Sequence, residues 1–134
     1  MRGKKNKMFV MHNRNQYTCN SVEEIYEIIN KRDEKGKNTV YMRPEKSKAW
    51  PLMSILILDN MAFIELCVKD FHQGYISLSD FALDLDYENG KTIFYEGERP
   101  VEVQNFYVIS IDTLYEVVKE FNQTGKMPEC IMWT

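Results

Sequence analysis

The sequence has only three cysteines, two histidines, four prolines and six glycines in 134 residues. Cys19, Cys67 and Cys130 stand far apart with no C-x-x-C pair, and His12 and His72 lie at ligand spacing from neither a cysteine nor each other. A closed zinc site is therefore not expected, and a catalytic triad would have to be assembled by folding alone, because no nucleophile motif is present. No G-x-G-x-x-G or Walker pattern occurs, so a glycine-rich nucleotide loop is unsupported. Pro128-Glu129-Cys130 holds half of the P-C-x-x-C zinc element of nucleobase deaminases, without its second cysteine or its H-x-E partner. The most apolar run, LMSILIL at 52–58, stops at Asp59-Asn60, far short of the roughly 20 residues that span a bilayer. The basic start MRGKKNK meets His12 and Asn13 before any apolar run long enough for a secretion signal. These absences predict a soluble protein with no cofactor, no metal, no catalytic residue and no membrane partner. Unpaired cysteines fit a reducing cytoplasm, with Cys67 expected as a buried thiol inside an apolar segment.

What is present is an uneven charge. The net charge is −3, yet residues 1–79 hold thirteen Lys and Arg against nine Asp and Glu, and residues 80–134 hold four against eleven. A surface of one sign steers molecules of the other sign toward it, so the imbalance bears on partners rather than on fold.

Residues 1–7 carry four basic side chains and no apolar pattern, and read as a flexible basic leader ahead of a single domain at 8–134. MFVMH (8–12) reads as a short strand. Ser21 and Glu24 form a capping box, and Val22, Ile25, Tyr26 and Ile29 recur at i, i+3, i+4 and i+7, which predicts an amphipathic helix closed by Gly36. NTVYMRP (38–44) reads as a strand and KSKAWP as a loop in which Pro51 opens the next one. LMSILIL and MAFIELCV flank Asp59-Asn60, a two-residue connection suited to a tight hairpin between central strands. GYISL, FALDLDY and TIFYEG follow as further strands, with Asn89-Gly90 as the turn of the last pair. VQNFYVI leads into a second helix from about Ser110, whose stripe of Ile111, Leu114, Tyr115, Val118 and Phe121 ends at Thr124-Gly125, and CIMW closes the chain as a short strand. With no repeat and no βαβ alternation, the expected fold is α+β, mainly antiparallel meander and hairpins with two principal helices.

As a strand, FALDLDYENG would put Phe81, Leu83, Leu85 and Tyr87 on the core side and Ala82, Asp84, Asp86 and Glu88 outside. Carboxylates two residues apart on one strand face sit about 7 Å apart and repel by only about 0.6 kcal/mol in water, so a solvated face needs no functional reward. DLDYENG also resembles the opening of a calcium loop, but Gly90 falls one place late and Tyr95 stands where the closing Glu belongs. Glu96, Glu98 and Glu102 extend the acidic character beyond Asn89-Gly90, opposed only by Lys91 and Arg99. Asp84, Asp86, Glu88, Glu96 and Glu98 are therefore the candidate partner-binding residues, a face able to attract a cationic protein surface, with plain solvation as the alternative. Arg2, Lys4, Lys5, Lys7 and Arg14 could contact phosphates, but the rest of the chain is acidic and lacks a nucleic-acid reading motif, so nucleic acid is a disfavoured partner.

Residues 105–133, NFYVISIDTLYEVVKEFNQTGKMPECIMW, resemble the closing signature of the first-numbered immunity protein family of bacterial polymorphic toxin systems. That signature is a Phe-x-x-Thr-Gly-x-x-Pro-x-x-x-x-Trp-like run, matched here by Phe121, Thr124, Gly125, Pro128 and Trp133, and the preceding TIFYEGE-type strand is similar too. The resemblance covers the last third of the chain well and the rest only in element order. It implies a small cytoplasmic antitoxin that binds a cognate polymorphic or contact-dependent toxin's C-terminal domain, commonly a nuclease or nucleic-acid deaminase, and occludes it without catalysis. Gly125 reads as a helix cap, Pro128 as a stop and Trp133 as a core or rim aromatic, so these residues serve the fold. Toxin contact is expected on the acidic residues, as a phosphate mimic. A small ligand-binding domain or an enzyme with a site that no motif reveals is the other reading.

Overall fold

LMSILIL carries too many apolar side chains for a strand with one wet face. The structure, a computed structural model that describes residues 7–69 and 74–134, covers it on both sides. Most of the basic leader expected at 1–7, and His72, lie outside the described residues. The chain runs β1 (Met8–His12), β2 (Asn15–Cys19), α1 (Val22–Ile29), β3 (Lys37–Pro44), β4 (Leu52–Leu58), β5 (Met61–Cys67), β6 (Tyr75–Ile76), β7 (Lys91–Glu96), β8 (Arg99–Gln104), a 3-10 turn at Asn105–Tyr107, β9 (Ile109–Ser110) and α2 (Ile111–Thr124). The main sheet has the order β2-β1-β3-β4-β5-β6, with β9 also on β5, and β7-β8 form a separate hairpin. All the pairings between these strands are antiparallel.

Alternation along β4 sends Met53, Ile55 and Ile57 to one face and Leu56 and Leu58 to the other. Ile25, Ile28 and Ile29 of α1 and Leu114, Val117, Val118 and Phe121 of α2 pack on the first face. Phe94, Val103 and Val108 close over the second, joined by Leu83 and Leu85. The protein is thus an α+β domain of three layers: two helices, the main sheet, and the β7-β8 hairpin.

Both helix starts use the expected serine. Ser21 Oγ accepts from Glu24 N at 3.3 Å and Ser110 Oγ from Thr113 N at 3.3 Å, satisfying amides that have no partner within the first turn. α2 ends on Gly125 at φ 67, a left-handed cap. Other residues of that C-terminal run also serve the fold: Phe121 is fully buried, Thr124 Oγ1 accepts from Lys126 N at 3.1 Å, and Trp133 Nε1 donates to Pro128 O at 2.8 Å. Among the described residues no helix is long and apolar enough to cross a membrane.

Several expectations are corrected. α1 stops at Ile29 instead of running to Gly36: the apolar spacing ends there, Arg32 takes the carbonyls of Ile29 and Lys31, and Asp33 Oδ1 receives Lys35 N and Lys37 N. The β1-β2 hairpin was not anticipated; it turns through Asn13 (φ 50) and Arg14 (φ 66). FALDLDY is an irregular loop, not a strand, and Phe81 is 56% exposed instead of core. Asn89-Gly90 closes no hairpin; the β7-β8 turn is Gly97-Glu98. VQNFYVI is broken by the 3-10 turn, GYISL shortens to β6, and CIMW makes a single bridge from Trp133 to Ser77. Cys67 is only half-buried, whereas Cys19 is buried; all three thiols are free.

Because Trp133 is partly exposed and ties the C-terminal tail through its indole N–H, Trp133→Phe should lose about 1 kcal/mol in urea unfolding, most of it the hydrogen bond. An unchanged midpoint and slope would show that the tail contributes nothing to cooperative stability.

Candidate functional site

The loop at 80–90 lacks strand partners but is tied at both ends. Asp80 Oδ2 accepts from Ser110 Oγ at 2.7 Å and Ser110 N at 3.3 Å, and also from Thr113 Oγ1, at the start of α2. Burial alone would raise the Asp80 carboxyl; hydrogen bonds from Thr113, Ser110 and Ala82 outweigh it and hold the group below its usual range. Tyr87 Oη accepts from Leu83 N at 2.9 Å and donates to Leu83 O at 2.7 Å. At the far end Gly90 N and Asn105 Nδ2 both donate to Asp86 O, at 2.9 and 3.1 Å. A Cβ on Gly90 would lie 2.5 Å from Asp86 O and from Asn105 Nδ2, so only glycine permits this approach.

Thus fastened, the loop keeps Leu83 and Leu85 against the hairpin-side core and turns Asp84, Asp86 and Glu88 to solvent. None of these three carboxylates makes an ion pair among the described residues. Phe81 sits beside them at φ 55, a conformation that costs a non-glycine residue about 1–3 kcal/mol. Its ring meets Tyr87 and Phe106 edge-on at 5.0 and 5.7 Å, and Phe106 is itself 45% exposed. Sequence reasoning placed Phe81 in the core. The usable signal was Ser79-Asp80: Phe81 N donates to Ser79 Oγ at 2.9 Å and Ala82 N to Asp80 Oδ1 at 3.2 Å, two successive side-chain turns that break an extended chain.

Glu96 and Glu98 lie elsewhere. They are at the turn end of β7-β8; Glu96 is five residues along the strand from Lys91, or about 17 Å by strand rise from the 80–90 loop's end, and Glu98 is in the turn beyond it. Each already has a cation: Glu96 pairs with Arg99 and Glu98 with Lys37 at 3.2 Å, and Glu102 likewise pairs with Lys91 at 2.8 Å. Tyr41 Oη donates to Glu96 at 2.7 Å, and burial together with this carboxylate pushes the phenol up to about 12. The five predicted carboxylates therefore form two groups, three on the exposed loop and two in a groove.

That groove encloses about 870 Å³ where the sheet parts. The β1-β3 ladder stops at Met11↔Tyr41 while β3 begins at Lys37, so the 37–40 edge has no β1 partner. The β7-β8 turn is held across the opening by Thr39, whose Oγ1 donates to Tyr95 O at 2.9 Å and accepts from Gly97 N at 3.2 Å. Buried His12 and Asn38 line it, with Arg14, Lys31, Arg32 and Lys37 around them. Elsewhere, burial pushes the Cys19 thiol up to about 11, keeping it protonated at neutral pH, and at exposed Cys130 partial desolvation and then the Glu120 carboxylate act in the same direction. Among the described residues no three His, Cys, Asp or Glu side chains are grouped to hold a metal ion.

No protein-family model matches the chain, and no curated protein matches it.

Burial and then the Lys31 charge lower the His12 pKa from its ordinary 6.5, while a hydrogen bond to Asn38 acts the other way. The unfolded chain therefore takes up this proton first, so the contribution to stability is intact above pH 6.5 and declines as pH falls below it. Asp33, Asp80 and Glu96, all lowered from 3.8 or 4.5, exert their dependence in a more acidic window. Urea unfolding from pH 7 to 5 should show a weaker pH dependence in His12→Gln than in the parent; equal slopes would assign the titration to another group.

Proposed function

We propose that this chain is an immunity-type protein that binds a toxin domain acting on nucleic acid and occludes it with the 80–90 loop. The observation that carries the reading is Phe81, an aromatic side chain held half-exposed in a strained conformation beside three carboxylates without cations. An exposed aromatic cluster with a charged rim has the anatomy of a protein interface, where one buried ring supplies much of the affinity. Domains that process nucleic acid present basic grooves. Asp84, Asp86 and Glu88 would enter such a groove where phosphates otherwise sit, and their free charge would accelerate encounter. Ion-paired Glu96 and Glu98 add little to that field, so the proposed contact centres on the loop. The C-terminal resemblance supplies the class of partner.

Coexpression with the C-terminal domain of a toxin encoded beside this chain should protect cells and yield a complex; if it gives neither protection nor a complex, the proposal fails. Within such a complex, Phe81→Gly should keep or raise thermal stability, because glycine accepts φ 55, while weakening binding by about tenfold or more. Asp84→Lys with Asp86→Lys should slow association at low salt, with the difference shrinking as salt rises. Variants that associate and dissociate like the parent would move the contact away from this loop.

A further inference from the structure

The groove at the opposite end of β7-β8 differs in charge from the 80–90 loop. Its three carboxylates are already matched: Lys37 Nζ lies 4.0 Å from Asp33 and 3.2 Å from Glu98, and Arg99 holds Glu96. Arg32 is also committed, its guanidinium donating to the carbonyls of Ile29, Lys31 and Asp59. Two cations remain, Arg14 and Lys31, and neither makes an ion pair among the described residues. Arg14 is the second residue of a two-residue hairpin turn with φ 66, a place where glycine is preferred and an arginine is strained. The groove wall also includes His12, 7% exposed, and Asn38, 6% exposed. Asn38 Nδ2 is spent on Ile28 O at 2.9 Å, which fixes the amide in place.

We infer that this groove binds a small anion of the phosphate or carboxylate class, held between the Arg14 guanidinium and the Lys31 ammonium with the His12 ring beside it. A cationic ligand finds no free carboxylate there. A polynucleotide would meet only three cations without a carboxylate partner, Arg14, Lys31 and Arg32, on a chain of net charge −3, too few for backbone tracking. A compact anion needs no more than a guanidinium fork and a second positive charge, and the strain at Arg14 is explained if that side chain must sit at the mouth. This site is separate from the 80–90 loop and does not rest on the docking proposal.

The test is an NMR titration of the parent chain with inorganic phosphate, with succinate as the carboxylate arm and chloride at matched ionic strength as the screening control. Expected are saturable shifts of the His12 ring and of the Asn13, Arg14, Lys31 and Gly97 amides. The His12 pKa should rise with phosphate bound, against the fixed background of Lys31, Arg32, Asp33, Arg14, Lys37, Glu96 and Glu98 around it. Arg14→Gly should fold at least as well as the parent, since the turn favours glycine, and bind about tenfold more weakly; Lys31→Gln should do the same. Phe81→Gly should bind the anion like the parent. Shifts that never saturate, that chloride reproduces, or that persist unchanged in the Arg14→Gly, Lys31→Gln double variant would overturn the inference. The phosphate and succinate arms, compared, show which anion chemistry the groove prefers.

Discussion

The need to bury both faces of β4 organises the molecule. Met53, Ile55 and Ile57 on one side and Leu56 and Leu58 on the other leave no wet face for this strand. The helices cover one side, and only the β7-β8 hairpin reaches the second. Fully burying a residue such as Phe94 contributes about 1.5–3 kcal/mol, so laying the hairpin across Leu56 is worth more than any surface ion pair on it. The chain leaving β6 must then cross to the hairpin's start, and it does so as the 80–90 loop. Leu83 and Leu85 seal the margin of the second core, and Asp84, Asp86 and Glu88 at the alternate positions face water. The free carboxylates are thus a by-product of where the core needs leucine.

Elements fixed by local chemistry were legible in the sequence. Ser21, Ser110 and Gly125 are caps whose roles depend on one side chain or one φ, and Asp59-Asn60 turns where two apolar runs demand it. The loop was not legible as a loop, because alternation reports which side a residue faces rather than whether its backbone is paired. Leu83 and Leu85 do face inward. A strand there would still need an edge, and the outer edge of β5 is shared between β9 at Met61–Ala62 and β6 at Glu65–Leu66. Asn89-Gly90 misled for a related reason: Gly90 is required for close approach to Asp86 and Asn105, while the left-handed turn residue is Gly97 at φ 64. The first hairpin stayed hidden because Arg14 occupies its glycine position.

Charge was legible in sum and not in detail. Counting residues along 84–102 gives one acidic stretch, but Glu98 finds Lys37 from a different layer and Glu102 finds Lys91 across the hairpin. Only tertiary structure distinguishes a carboxylate with a cation from one without. Removing the matched pairs leaves Asp84, Asp86 and Glu88 at one end of the hairpin and Arg14 and Lys31 at the other, a division that net charge could not show.

Backbone strain points to the same two places. Among the described residues, four non-glycine positions have positive φ: Asn13, Arg14, Asp59 and Phe81. Asn and Asp tolerate the left-handed region through their short polar side chains, so Asn13 and Asp59 need no further reason. Arg14 and Phe81 have no such excuse, and a domain of this size is stabilised by about 5–15 kcal/mol in all. Two residues each costing about 1–3 kcal/mol consume a sizeable part of that margin, although glycine would serve both turns. The side chains so retained are a guanidinium at the mouth of a groove and a half-exposed ring beside free carboxylates. Neither adds to the core, and both proposals above rest on what these two side chains present at the surface.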